Sequence, residues 1–113
     1  MHAKGMSAGE LKHGTLALTE DGTPVITICP TDYTFKDSMA NIMEAKAREA
    51  YIIGVSNGVS GMFDDTIKIP SCGEILYPLV ATVPLQLLAS DSAIERGLDP
   101  DKPRNLAKSV TVK

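Results

Sequence analysis

His13 sits in the run Ala8-Gly9-Glu10-Leu11-Lys12-His13-Gly14, with a carboxylate and an ammonium just before it and a glycine just after. An imidazole donates or accepts a proton near neutral pH, so of the side chains in this sequence it is the one best suited to general acid–base work. From spacing alone it reads sooner as an exposed or satisfied loop histidine than as a catalytic one. Glu10 and Lys12 have the charges to orient it or to form ion pairs at a subunit interface. Lys108 is a second candidate. A lysine amine can condense with a carbonyl to a Schiff base, which then withdraws electrons from the neighbouring carbon. Taken by itself, a lysine in the last few residues reads as solvated surface.

The remaining reactive side chains form no site in the sequence. Cys29 ends the apolar run Val25-Ile26-Thr27-Ile28-Cys29 and reads as a buried thiol acting as a small hydrophobe. Cys72 falls in the loop Pro70-Ser71-Cys72-Gly73. Neither cysteine has metal-ligand spacing, and a reducing compartment argues against pairing them. Asp64-Asp65 reads as a solvated acidic loop rather than a metal site, and His2 as surface. No P-loop is present. No cofactor and no metal are expected.

The elements that must hold these residues follow from pattern and punctuation. Pro24 to Cys29 is short, apolar and β-branched, the signature of a buried parallel strand. Pro30 ends it, and Thr31 or Asp32 suits a helix N-cap. Phe35, Met39, Ile42, Met43, Ala47 and Ala50 recur at helical spacing, so residues 33–49 read as an amphipathic helix burying Phe35, Met39, Ile42 and Met43. Tyr51 to Val55 is a second buried strand, and Thr66 to Ile69 a short edge strand. Glu74 to Arg96 reads as helix, with Pro84 at the first position of a new segment and Gly97 as its stop. Upstream, the glycines at 5, 9 and 14 mark a shaped loop or a short helix with glycine ends, and Leu16-Ala17-Leu18 a further turn. Glu20-Asp21-Gly22-Thr23 is a turn. Strand, helix and strand in this order predict a right-handed crossover and an α/β fold with a parallel sheet. Two central strands and one edge strand are fewer than a doubly wound sheet usually has, so the sequence describes a partial domain.

With 113 residues, 43% hydrophobic and 22% charged, the chain has the composition of an ordinary globular domain rather than of a disordered segment. Aromatics are 4%, so the core must be aliphatic. The net charge of −3 and scattered basic residues give no electrostatic footprint for nucleic acid. No apolar run approaches the roughly 18 residues of a membrane span, and Met1-His2-Ala3-Lys4 is too polar for a signal peptide. A cytoplasmic protein that binds neither nucleic acid nor membrane is expected.

Two segments carry a family resemblance. Ala8-Gly9-Glu10-Leu11-Lys12-His13-Gly14 with Leu16-Ala17-Leu18, and Pro103-Arg104-Asn105-Leu106-Ala107-Lys108-Ser109-Val110-Thr111-Val112, resemble the sugar isomerase (SIS) domains of glucosamine-6-phosphate synthases. Val83-Pro84-Leu85-Gln86-Leu87-Leu88, between them, agrees. The resemblance implies a three-layer SIS-type fold, with residues 1–98 a partial SIS domain and 99–113 an active-site tail. It implies conversion of fructose-6-phosphate and glutamine to glucosamine-6-phosphate and glutamate. His13 would assist opening of the hexose ring in a neighbouring subunit's active site, Lys108 would form the Schiff base, and the backbone of Ala107 would lie near the sugar. The implied partners are a sugar phosphate, a second copy of the chain, and the glutaminase and first SIS parts of a longer enzyme. A catalytic glutamate and a lysine one turn before it are expected upstream of Met1, so the isolated chain is expected to be inactive. Lys4 departs from the family, whose members commonly carry Glu after His-Ala. The competing reading is a non-catalytic SIS-like module for sugar-phosphate binding or subunit contact.

Overall fold

The computed structural model describes residues 3–102. His2, Ala107 and Lys108 lie outside them. Of the described residues, those up to Ala81 form one compact unit, and those from Thr82 a second.

The first unit opens with two consecutive 3₁₀ turns, Ala8–His13 and Thr15–Leu18. Strand β1 (Pro24–Ile28), helix α1 (Phe35–Lys46), strand β2 (Tyr51–Ser56) and strand β3 (Asp65–Lys68) follow. All pairings are parallel and the strand order is β1-β2-β3. Pro24 lies opposite Tyr51 and Ile28 opposite Val55, while Ile53 faces Asp65 and Ser56 faces Lys68. The α/β class and the parallel sheet expected from the sequence are both present.

The core lies between the sheet and α1. Leu16, Cys29, Ile42, Ala45, Ala50 and Ile52 are buried together, with Val25, Phe35, Met39 and Phe63 packed on them. Burying side chains such as Ile42 and Ile52 contributes about 1.5–3 kcal/mol each. Gly54 keeps the sheet thin at one point, where the Phe63 ring occupies the place of a side chain.

Several details differ from expectation. Met43 is 54% exposed, and Ala45 takes the buried position instead. The inward stripe of α1 runs through Ile42 and Ala45, three residues apart, which rotates Met43 outward. Helix α1 starts at Phe35, and neither Thr31 nor Asp32 occupies its N-cap. Asp32 instead accepts from the Thr34 N–H at 2.8 Å and its hydroxyl at 2.7 Å, fixing a turn just before the helix. The helix ends at Lys46 rather than continuing to 49, because Glu49 adopts φ +62° and turns the chain toward β2. Strand β1 is not buried on both faces. Ile26 and Ile28 are 43% and 50% exposed, since α1 covers only the face carrying Val25.

Helix α2 (Tyr77–Glu95) follows a 3₁₀ turn at Glu74–Leu76 and carries Pro84 inside it. Pro84 therefore does not begin a new segment; its missing N–H removes one bond from the ladder without ending the helix. In the second unit, Gly97 at φ +68° closes the helix as expected, with its N–H on the Ile94 carbonyl and that of Leu98 on Ala93. The stretch Glu74–Glu95 is long and apolar enough to cross a membrane by length and composition, contrary to the sequence reading.

Candidate functional site

His13 is the last residue of the first 3₁₀ turn, and its side chain is exposed. Among the described residues no carboxylate, hydroxyl or carbonyl bonds to it. Leu11 packs against the core cluster and Leu16 is 8% exposed within it, so the histidine is carried outward between two inward anchors. The first turn packs on α1, which gives it a rigid backing. Glu10 and Lys12 are exposed near it and form no bond to it among the described residues. An imidazole presented this way can exchange protons with a group supplied from outside the described residues.

The chain turns sharply at Gly14, with φ +139° and ψ −45°. The Gly14 carbonyl accepts from the Ala17 N–H at 3.0 Å and starts the second turn, while Lys4 Nζ lies 3.4 Å from the Thr15 hydroxyl.

The carboxyl ends of parallel strands are where α/β sheets usually bind ligands. Here that edge is held by Asn57. Its Oδ1 accepts from the Thr31 N–H at 2.8 Å, and its Nδ2 donates to the Thr31 hydroxyl at 2.7 Å and to Ser71 at 3.2 Å. The amide thus joins the loops following β1, β2 and β3. Ser56 and Ser60 accept from the backbone N–H groups of Gly58 and Met62. These hydroxyls bond within their own loops. Beside this edge an open cleft of about 550 Å³ is lined by Ile28, Asp32, Tyr33, Glu74, Ile75 and Tyr77. It contains two carboxylates and no histidine or lysine, and His13 is not part of it.

At the opposite end of the sheet, Lys46 Nζ pairs with Asp64 at 2.5 and 2.6 Å. Asp64 also accepts from the Ile52 N–H at 2.7 Å, and its own N–H reaches the Ile52 carbonyl at 2.8 Å. The Lys46 ammonium, and then the backbone N–H, hold the Asp64 carboxyl below its usual range. Asp64 is thus an exposed loop residue, as expected, that also ties α1 to β2. Asp65 accepts from the Tyr51 hydroxyl at 3.1 Å and pushes that phenol up. Cys29 is a buried free thiol whose burial raises its pKa, and Cys72 is also free, as expected.

A model of the SIS domain matches residues 1–96. The chain belongs to the SIS domain family. The match takes in α2 whole. This SIS segment is 57% identical over 114 residues to the glutamine–fructose-6-phosphate aminotransferase [isomerizing] of Thermococcus kodakarensis, covering 99% of the chain and 19% of that protein. The corresponding enzyme of Pyrococcus horikoshii is 54% identical with the same coverages. The chain thus spans about a fifth of the length of these relatives. Among solved structures, the C-terminal domain of glucosamine-fructose-6-phosphate aminotransferase from Francisella tularensis superposes with a TM-score of 0.78 at 32% identity, over 87% of this chain and 29% of that one. The resemblance read from the sequence is borne out, and the SIS-type fold with it.

Asn57, the Asp64–Lys46 tie and the Gly54–Phe63 contact had no separate signal in the sequence. Each joins residues far apart in the chain or depends on the pleat of a strand.

Proposed function

We propose that this SIS segment is the C-terminal part of the isomerase domain of a glutamine–fructose-6-phosphate aminotransferase, working in hexosamine biosynthesis. Fructose-6-phosphate and glutamine become glucosamine-6-phosphate and glutamate. His13 moves the proton needed to open the hexose ring, acting in the active site of a neighbouring subunit. Lys108 condenses with the open-chain ketone, releasing water, and the imine takes up electron density while a proton moves between adjacent carbons. The Ala107 backbone borders the sugar. Residues 99–113 are the tail that carries Ala107 and Lys108, and the enzyme is a cytoplasmic homo-oligomer needing no cofactor.

The observation that carries this reading is an exposed His13, without a partner among the described residues, on an anchored turn, in a chain aligned along 99% of its length with such enzymes. A histidine so placed has no structural duty among the described residues. The test is kinetic. In the full-length enzyme containing this segment, His13→Ala and Lys108→Met should each lower isomerisation by about 10²–10⁴-fold while glutamine hydrolysis persists. Unchanged isomerisation in both variants would refute the assignment.

A further inference from the structure

We infer that Gly14 is a positioning residue for His13, setting the direction in which the imidazole leaves the turn. This rests on the proposed role of His13.

The two 3₁₀ turns abut at Gly14. Its φ of +139° lies where residues bearing a Cβ rarely go. Lack of room is not the reason for glycine, because a Cβ built there meets nothing within 4 Å. The requirement lies in the backbone angle alone. On one side of the junction Leu16 is buried in the core cluster, and on the other Leu11 packs against that cluster. With both anchors fixed, the angle at Gly14 decides how the intervening segment bulges, and therefore where His13 points. A residue forced to negative φ at 14 cannot keep both leucines in place and leave His13 where it is. Leu16 is buried and Leu11 packs on the core, whereas His13 is exposed and unbonded among the described residues, so the histidine moves. Proton transfer needs the imidazole within hydrogen-bond reach of the sugar oxygen, and a displacement of about 1 Å can cost about 10²-fold in rate.

The experiment uses the full-length enzyme carrying this segment, with Gly14→Ala, His13→Ala and the double variant. Gly14→Ala should lower isomerisation kcat by about 10²-fold, with KM for fructose-6-phosphate and glutamine hydrolysis near those of the parent and a modestly lower melting temperature. The double variant should be no slower than His13→Ala, because a displaced group and a missing one fail in the same step. Parental kcat in Gly14→Ala, beside a crippled His13→Ala, overturns this inference and leaves the role of His13 standing. Parental kcat in both overturns the role of His13 and the inference together. Losses that multiply in the double variant show that Gly14 acts through something else, and also overturn it. If Gly14→Ala does not accumulate as folded protein, Gly14→Asn gives the same comparison. An asparagine Cβ is as disfavoured as alanine's at φ +139° with ψ −45°, far from the left-handed helical region that asparagine visits, so its kcat should fall by a similar factor.

Discussion

Asn57 holds Thr31 at two points, accepting from its backbone N–H at 2.8 Å and donating to its hydroxyl at 2.7 Å. A third bond reaches Ser71 at 3.2 Å, so one amide ties together the loops at the carboxyl end of all three strands. Neutral hydrogen bonds of this kind contribute about 0.5–1.5 kcal/mol net. Asn57→Ala should lower unfolding stability by about 1–2 kcal/mol, and urea denaturation measures it. An unchanged urea midpoint would mean that the three loops are held by other contacts.

Gly54 and Phe63 are matched by shape. A Cβ on Gly54 would come within 2.5 Å of the Phe63 ring, which itself packs against the core. Gly54→Ala should destabilise by about 1–3 kcal/mol through overpacking. Adding Phe63→Leu should recover part of the loss, because the two substitutions share one contact. Additive destabilisation in thermal melts would show that the contact is not what makes Ala unfavourable at 54.

Asp64 has a folded-state pKa held down first by Lys46 and then by the Ile52 N–H. A depressed carboxylate stabilises the fold above its unfolded pKa of about 4, and that contribution fades as pH falls through the folded value. Stability of the parent should therefore drop on the acid side more steeply than that of Asp64→Asn, whose side chain does not titrate. Salt should weaken the difference, since the pair is partly exposed. Parallel acid limbs in the two proteins would remove Asp64 as a contributor.

Strand β1 sits at the end of the sheet order, with Ile26 and Ile28 half-exposed on the face away from α1. An uncharged edge strand with an open apolar face invites pairing. The isolated chain should self-associate, and Ile26→Lys should reduce it. A monodisperse species of 12.0 kDa by light scattering would contradict the first expectation. The same preparation should not convert fructose-6-phosphate, and detectable turnover would contradict the view that further groups of the enzyme are required.

Local chemistry determined the outline. The β-branched runs at 24–28 and 51–55, the helical spacing of Phe35, Met39 and Ile42, and Gly97 as a stop could all be read in order along the chain. Their signals come from neighbours three or four residues apart, or alternating, and need no knowledge of the fold. His13 and Gly14 were likewise marked by residue type. Tertiary structure decided what faces what. Met43 is turned out and Ala45 in, because one helix face must fit one sheet face. Asp64 meets Lys46 across 18 residues, and Asn57 reaches back 26 to Thr31. Ile26 and Ile28 look like core in the sequence, yet within this chain α1 covers only the other face of their strand. Burial depends on what packs above a side chain, and no pattern within five residues of a strand contains that information.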